Sequence, residues 1–140
     1  MKYFSFEEFA KSETAKLRGI NNNIPEEIKS NIEEFVDNIL DPLREEWGSG
    51  IRITSGYRSP SLNRALKGSQ TSVHPLGYAV DIIPSNGNMR EFQVFVEEFL
   101  RDMEFDQLIF EKPRNGIASW LHIGYKNSNG RQRKQIFTLV

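Results

Sequence analysis

The sequence of 140 residues contains no cysteine at all. This absence excludes disulfide bonds and thiolate ligands, so any bound metal has to be held by histidine, aspartate or glutamate. Histidine is almost as scarce, because the chain has two, His74 and His122. Few combinations of side chains are therefore able to build a transition-metal site.

Long hydrophobic runs are also lacking. No apolar segment approaches the roughly 20 residues needed to cross a bilayer, so stable membrane insertion is not expected. Residues 1–8 carry early acids and no apolar stretch, which predicts that the protein is made in the cytoplasm without a signal peptide.

The chain has little net charge, with a formal value of −1. A near-neutral chain has no global basic field, so nucleic acid is not an expected partner. Basic residues cluster locally at Arg131, Arg133 and Lys134. We interpret this cluster as a solvated turn; contact with an anionic surface such as a cell-wall polymer is the alternative.

What the sequence does contain is typical of a folded domain. Hydrophobic residues make up 38% and aromatic residues 11% of the chain, a globular rather than disordered composition. A chain of this length is long enough to bury a core and short enough to form one domain. We therefore expect a single domain over residues 1–140, and nothing in the sequence indicates more than a monomer.

Hydrophobic periodicity changes along the chain. Helical spacing predicts helices before Gly19, from Pro25 to residue 47 with Pro42 kinking or dividing it, from Ser59 to Leu66, and over residues 92–103. Strand patterns cover residues 51–54, 78–83, 105–111, 120–125 and 134–140, with residues 69–77 as a loop. Residues 105–111 and 120–125 are expected to form a hairpin, and a turn at 129–130 precedes the last strand. The order predicts an α+β fold in which N-terminal helices and a central helix pack against an antiparallel sheet.

Asp81 lies in an apolar strand, Val80-Asp81-Ile82-Ile83. Alternate strand residues share a face, so Asp81 lies beside the small residue Ala79 while its immediate neighbours point to the core. An unpaired buried carboxylate is costly. A metal, or a hydrogen-bonded partner in a purely structural role, is therefore expected.

The two histidines sit where they could join Asp81. His74 lies on the loop entering the same strand, where Pro75 stiffens the chain and Gly77 permits a tight turn. His122 is predicted mid-strand; each histidine alone is compatible with an ordinary surface or core position. Two imidazoles and one carboxylate leave a fourth position open, which is the composition of a catalytic zinc site.

The sequence also resembles a known family. Ser-x-His-x-x-Gly-x-Ala-x-Asp over residues 72–81, followed by Trp-x-His over 120–122, resembles the zinc D-alanyl-D-alanine carboxypeptidases and the phage L-alanyl-D-glutamate endopeptidases, relatives of hedgehog domains. Residues 55–58 resemble the Ser-Gly-Tyr-Arg stretch of that family. The resemblance covers roughly residues 35–125. It implies a hedgehog/DD-peptidase-like fold and a Zn²⁺ ion bound by His74, Asp81 and His122.

Substrate-binding residues are implied in the same way. Arg58 would recognise a substrate carboxylate or carbonyl, a role that suits a guanidinium because it can fork onto a carboxylate with two hydrogen bonds. Ser72 would hydrogen-bond the site or the substrate, with Asn63 and Gln70 as supporting polar residues. Without the resemblance, a structural cap or a surface ion pair would explain Arg58 equally well.

The chain departs from the family at the general base. Better-known members carry an acidic residue three positions before the second histidine, but Ser119 stands there and cannot act as a base at neutral pH. Glu111 is the best replacement, because pairing of its strand with that of His122 would bring it within a diagonal step. Glu104 and Asp106 lack a comparable argument, and a solvated position at the hairpin end is the alternative for Glu111.

The resemblance implies a zinc metallopeptidase that hydrolyses peptide bonds in peptidoglycan stem peptides, as a D,D-carboxypeptidase or endopeptidase of the phage or prophage lysis type. Such an enzyme would act at the cell wall after release. The alternative is a catalytically weak or inactive zinc-containing module that binds cell wall or belongs to a virion. Ser119 keeps this alternative open.

Overall fold

In the computed structural model, which describes residues 1–140, helices fill most of the first third of the chain. The first third contains α1 (Phe6–Ala10), α2 (Glu13–Arg18), α3 (Glu26–Phe35) and α4 (Asp41–Trp47). Two further helices follow later in the chain, α5 (Pro60–Ala65) and α6 (Met89–Leu100). A single 3₁₀ turn, His74–Leu76, interrupts the loop predicted over 69–77. The predicted first helix is two short helices, and Leu17 lies exposed rather than on a buried stripe.

Pro42 does not divide the second predicted helix. A π-helical turn, Val36–Leu40, joins α3 to α4, and the Asp41 N–H bonds to the Val36 carbonyl five residues back. Proline in a regular α-helix clashes with the carbonyl four residues earlier and has no N–H to donate. The wider turn directly before Pro42 lets the helix continue through it.

The five strands form one sheet. They are β1 (Ile51–Ser55), β2 (Ala79–Pro84), β3 (Gln107–Glu111), β4 (Trp120–Gly124) and β5 (Gln135–Leu139), in the spatial order β1-β2-β4-β3-β5. The predicted hairpin of β3 and β4 is present, with Glu111 opposite Trp120. The α+β class is confirmed. The expectation of a wholly antiparallel sheet is wrong, because β5 runs parallel to β3 and the sheet is mixed.

An ion pair between Arg133 and the buried Asp106 fixes the start of β5. Asp106, at the start of β3, is 3% exposed and accepts two side-chain hydrogen bonds from Arg133, at 2.8 and 2.9 Å. Backbone N–H groups of Lys134 and Gln135 then bond to the carbonyls of Phe105 and Asp106. The chain is thus fastened beside the beginning of β3, and β5 continues from there alongside β3 in the same direction. Arg133 is exposed like the other two residues of its basic cluster, as the interpretation of a solvated turn expects, but its guanidinium is also paired with Asp106.

Replacing Arg133 by glutamine is expected to lower the free energy of unfolding by about 1 to 2 kcal/mol at pH 7, a figure reduced for partial exposure of the guanidinium. Burial alone would raise the pKa of Asp106, but the hydrogen bonds and charge of Arg133 outweigh it and lower that pKa. Stability from the pair is therefore complete above the pKa of an unfolded aspartate, about 3.9, and is lost as pH falls through the lower folded value.

Urea unfolding between pH 7 and pH 2.5 measures this contribution. The acid dependence should be shallower in Arg133→Gln than in wild type. The exposed neighbour Arg131, which forms no ion pair, provides the control Arg131→Gln. Equal acid dependence of all three proteins would contradict the assignment.

The sheet has two different faces. On one, Val80, Ile82, Leu108, Leu121 and Ile123 are fully buried under the helices. Residues at the alternate positions point to the opposite face, as the strand periodicity predicts. None of the helices combines the length and the apolar character needed to cross a membrane.

Candidate metal centre and active-site cleft

His74 is held in one orientation by the backbone of Gly56. The His74 imidazole is buried, and its Nδ1–H donates to the Gly56 carbonyl at 2.6 Å. Helix α1 packs directly on Gly56. A Cβ atom at Gly56 would lie 2.8 Å from the Cα and O atoms of Phe9 in that helix. The tautomer is thereby fixed with the lone pair on Nε2, which is the form that binds a metal.

The turn after His74 brings the chain back to β2. Gly77 has a φ of +76°, and a Cβ there would also meet Ile32 at 2.7 Å. Only glycine adopts this conformation readily. The turn that the sequence predicts at Gly77 thus brings His74 to within 3.6 Å of Asp81, measured from Nε2 to Oδ1.

Asp81 and His122 face each other across adjacent strands. They are direct Cα partners of β2 and β4, and the His122 Nδ1 atom lies 3.0 Å from the Asp81 Oδ1 atom. Burial alone would raise the pKa of the Asp81 carboxyl, but the hydrogen bond with His122 and the nearby imidazole of His74 hold it well below its usual range. Burial lowers the pKa of His74. The site therefore combines a carboxylate with a neutral imidazole, both of which are in the protonation state that ligates a cation.

The donor geometry fits a tetrahedral zinc ion. His74, Asp81 and His122 each offer one ligand atom, and these three atoms all lie within 4.8 Å of one another. Ligand atoms bound at about 2.0–2.1 Å in a tetrahedral site are about 3.3 Å apart, and the two distances to Oδ1 of Asp81 are 3.0 and 3.6 Å. The structure thus brings together the three predicted ligands; their binding of zinc remains a prediction.

Arg58 lies on the other side of Asp81. Its Nη2 donates to Asp81 Oδ2 at 3.3 Å, Nε donates to Ser55 at 3.0 Å, and Nη1 donates to Asn63 at 3.2 Å. Oδ1 of Asp81 is therefore left for a metal while Oδ2 is held by the guanidinium. Of the five N–H groups of Arg58, one on each Nη remains for a substrate oxygen.

The other predicted polar residues differ in their positions. Asn63 is buried and bridges Arg58 to the carbonyl of Ser69, which makes it a supporting residue. The Ser72 hydroxyl accepts the His74 N–H at 3.2 Å and lines the cleft. Gln70 is exposed and lines no part of the cleft.

Glu111 lies at the end of β3 on the face that carries the histidines. Its strand neighbour Ile109 is the Cα partner of His122, and Glu111 itself pairs with Trp120, so Glu111 is diagonal to His122. Burial raises the pKa of the Glu111 carboxyl, and the charge of Asp81 raises it further. A raised pKa brings a carboxyl closer to the range in which it can take and return a proton. The predicted proximity is present; the catalytic role remains a prediction.

The other residues considered for the position of the base make different contacts or lie outside the cleft. Ser119 is exposed, and its hydroxyl donates to the Lys112 carbonyl, which closes the hairpin loop. Asp106 is paired with Arg133, and Glu104 is exposed outside the cleft. Ser119 and Glu111 are neighbours, because the Ser119 N–H bonds to the Glu111 carbonyl. Glu111 is thus a direct neighbour of Ser119, which stands where better-known members carry an acid.

The three predicted ligands line one cleft with a volume of about 660 Å³, together with Arg58, Ser72 and Glu111. Its far wall was not predicted from the sequence: it comes from the C-terminal segment and includes Asn127, Arg133, Phe137 and Leu139. The strand predicted over residues 134–140 was the one signal for it, and that pattern does not indicate the parallel pairing of β5.

Comparison with known proteins identifies the family. A family model described as Peptidase M15 matches residues 2–123, which include the predicted ligands, Arg58 and Glu111. A search of curated proteins finds no match. The matched region ends one residue before the end of β4, so it leaves out the C-terminal wall of the cleft. The chain belongs to the peptidase M15 family, as its histidine and aspartate motif indicated.

Proposed function

We propose that this chain is a single-domain, monomeric zinc metallopeptidase that hydrolyses peptide bonds in peptidoglycan stem peptides. The observation that carries the proposal is the convergence of His74, Asp81 and His122 beside a fourth group, Glu111, on one face of the sheet. Membership of the M15 family supports the peptidase class. The stem-peptide substrate rests on the resemblance to peptidoglycan peptidases.

The three ligands would hold zinc with one position open. Zinc bound there would polarise the scissile carbonyl and lower the pKa of a bound water to about 7. Because Arg58 holds Asp81 through Oδ2 and His122 contacts Oδ1, the carboxylate is fixed in one orientation. The carbonyl of Gly56 likewise fixes the orientation of the His74 imidazole.

Glu111 would move the proton. Its carboxylate takes a proton from the attacking water and returns it to the nitrogen of the leaving amine as the C–N bond breaks. Arg58 would bind a carbonyl or carboxylate oxygen of the peptide through its two unused N–H groups. Ser72 offers a hydroxyl at the same end of the cleft.

A cell-wall substrate also implies how the protein reaches it. The resemblance to phage endopeptidases supports a role in phage or prophage lysis, in which a membrane pore made by another protein would release the enzyme to the wall. Both D,D-carboxypeptidase and endopeptidase action are compatible with the donor set. The products distinguish them, because the former releases a terminal D-alanine and the latter releases longer peptides.

Metal analysis together with digestion of purified sacculi tests the proposal. We expect about one zinc per chain and the appearance of new amino and carboxyl termini in the stem peptides, located by mass spectrometry. Treatment with a chelator should abolish cleavage, and added zinc should restore it. Zinc binding without cleavage of walls of any chemotype would instead favour a wall-binding module, and absence of zinc would refute both.

A further inference from the structure

The cleft crosses the sheet from strand to strand. Arg58, which follows β1, lies at one end; Asp81 on β2 and His122 on β4 come next, and Glu111 on β3 follows. Beyond Glu111 only β5 remains. A peptide that contacts both Arg58 and Glu111 therefore points towards β5.

Two apolar side chains of β5 face this cleft. Phe137 is the partner of Ile109 and Leu139 is the partner of Glu111, and both line the cleft. They are 36% and 46% exposed. Binding sites for peptides combine such apolar surface with a few polar groups that fix orientation. Leu139 supplies apolar surface directly beside the proposed base.

The distance suits a substrate of several residues. Asp81 and Phe137 lie on one line across the sheet through His122 and Ile109, so three strand spacings of about 4.8 Å each, or about 14 Å in total, separate them. An extended chain advances about 3.3–3.6 Å per residue, so this distance corresponds to about four residues. A stem peptide of four or five residues would reach β5, whereas a dipeptide would not.

The apolar wall is held in place before any ligand arrives. The Arg133–Asp106 pair fixes the chain before β5, and the Lys112 N–H bonds to the Leu139 carbonyl at 2.7 Å at its far end. A hydrogen bond of 2.9 Å also joins Gln107 to Gln135. A surface fastened at both ends loses little conformational entropy on binding.

We propose that Phe137 and Leu139 form a specificity subsite for an apolar side chain of the peptide, on the side of the scissile bond opposite Arg58. This inference rests on the proposed function and extends it to a part of the chain outside the family match. The subsite would make the enzyme prefer longer stem peptides with alanine, rather than glycine, at the position that lies on β5.

Kinetics on synthetic stem pentapeptides test this subsite. We would measure kcat/KM for the pentapeptide and for versions in which each alanine in turn is replaced by glycine. For wild type, replacing alanine by glycine at one position on the β5 side should lower kcat/KM about fourfold, because one buried methyl group contributes a free energy of that size. The double variant F137S/L139S should lose a similar factor on the parent peptide and should no longer distinguish alanine from glycine there.

Ile136 provides a matched control. It lies on the same strand with a similar exposure of 38%, but on the opposite face from the cleft. Ile136→Ser should keep the wild-type rate and the alanine preference. Unchanged rate and preference in F137S/L139S would overturn the subsite while leaving the proposed function intact.

Peptide binding tests the subsite independently of hydrolysis. If wild type cleaves none of the peptides, the proposed function fails, and titration of the pentapeptide followed by NMR decides the subsite alone. A dissociation constant raised about fourfold in F137S/L139S but not in Ile136→Ser would support it. Equal affinities, or no binding to wild type, would overturn it.

Discussion

Replacement of Glu111 by glutamine is expected to reduce kcat for stem-peptide hydrolysis by about 10² to 10⁴-fold, the usual contribution of a positioned general acid or base. Glutamine has nearly the same shape and can still fill the end of β3, but it cannot accept a proton from water. The bound zinc should remain at one per chain, because Glu111 is not among the three converging donors.

The control for this variant is another glutamate on the approach to the same strand. Glu104 precedes β3 but is exposed and lines no part of the cleft, so Glu104→Gln should retain wild-type kcat. Rates would be measured at substrate saturation, with circular dichroism and zinc content determined for each protein. Full activity in Glu111→Gln would show that the base lies elsewhere.

Replacement of His74 by alanine is expected to remove both metal and activity. Loss of a residue that only orients a ligand costs about 10- to 100-fold in metal affinity, and loss of the ligand itself should cost more. The zinc content of the purified variant should fall well below one per chain, and added zinc should no longer raise its melting temperature.

The two variants together separate metal binding from proton transfer. Glu111→Gln should be inactive with zinc bound, whereas His74→Ala should be inactive without it. Competition of each protein with a chromophoric chelator gives the zinc dissociation constants. If His74→Ala bound zinc with the affinity of wild type, His74 would be excluded as a ligand. Asp81 and His122 would then be the remaining candidates.

Much of the site could be predicted from the sequence because its signals are local. The alternation of residues 79–83 places Asp81 away from the core, and Gly77 predicts the turn that returns His74 to it. The hairpin of β3 and β4 follows from two strand patterns around a short loop, and it is this pairing that brings Glu111 towards His122.

The parts that could not be predicted depend on contacts between distant residues. Nothing near Arg133 in the sequence indicates that its guanidinium pairs with Asp106, 27 residues earlier, and that pair fastens the start of β5 beside the start of β3. The basic cluster therefore suggested a solvated turn, and the last strand suggested another antiparallel neighbour. Likewise, the pairing of Arg58 with Asp81, 23 residues later, depends on the fold, whereas its other two polar partners are close to it in the sequence.

The close packing of α1 on Gly56 has a consequence for the N-terminal part of the protein. Phe9 lies against Gly56, whose carbonyl orients His74, and the Tyr57 N–H bonds to the Phe9 carbonyl at 2.8 Å. Local opening of α1 would release the imidazole, so the open state would bind zinc more weakly than the closed one. Coupling of this kind is reciprocal. Zinc would therefore slow hydrogen exchange in a helix that contributes no ligand to it.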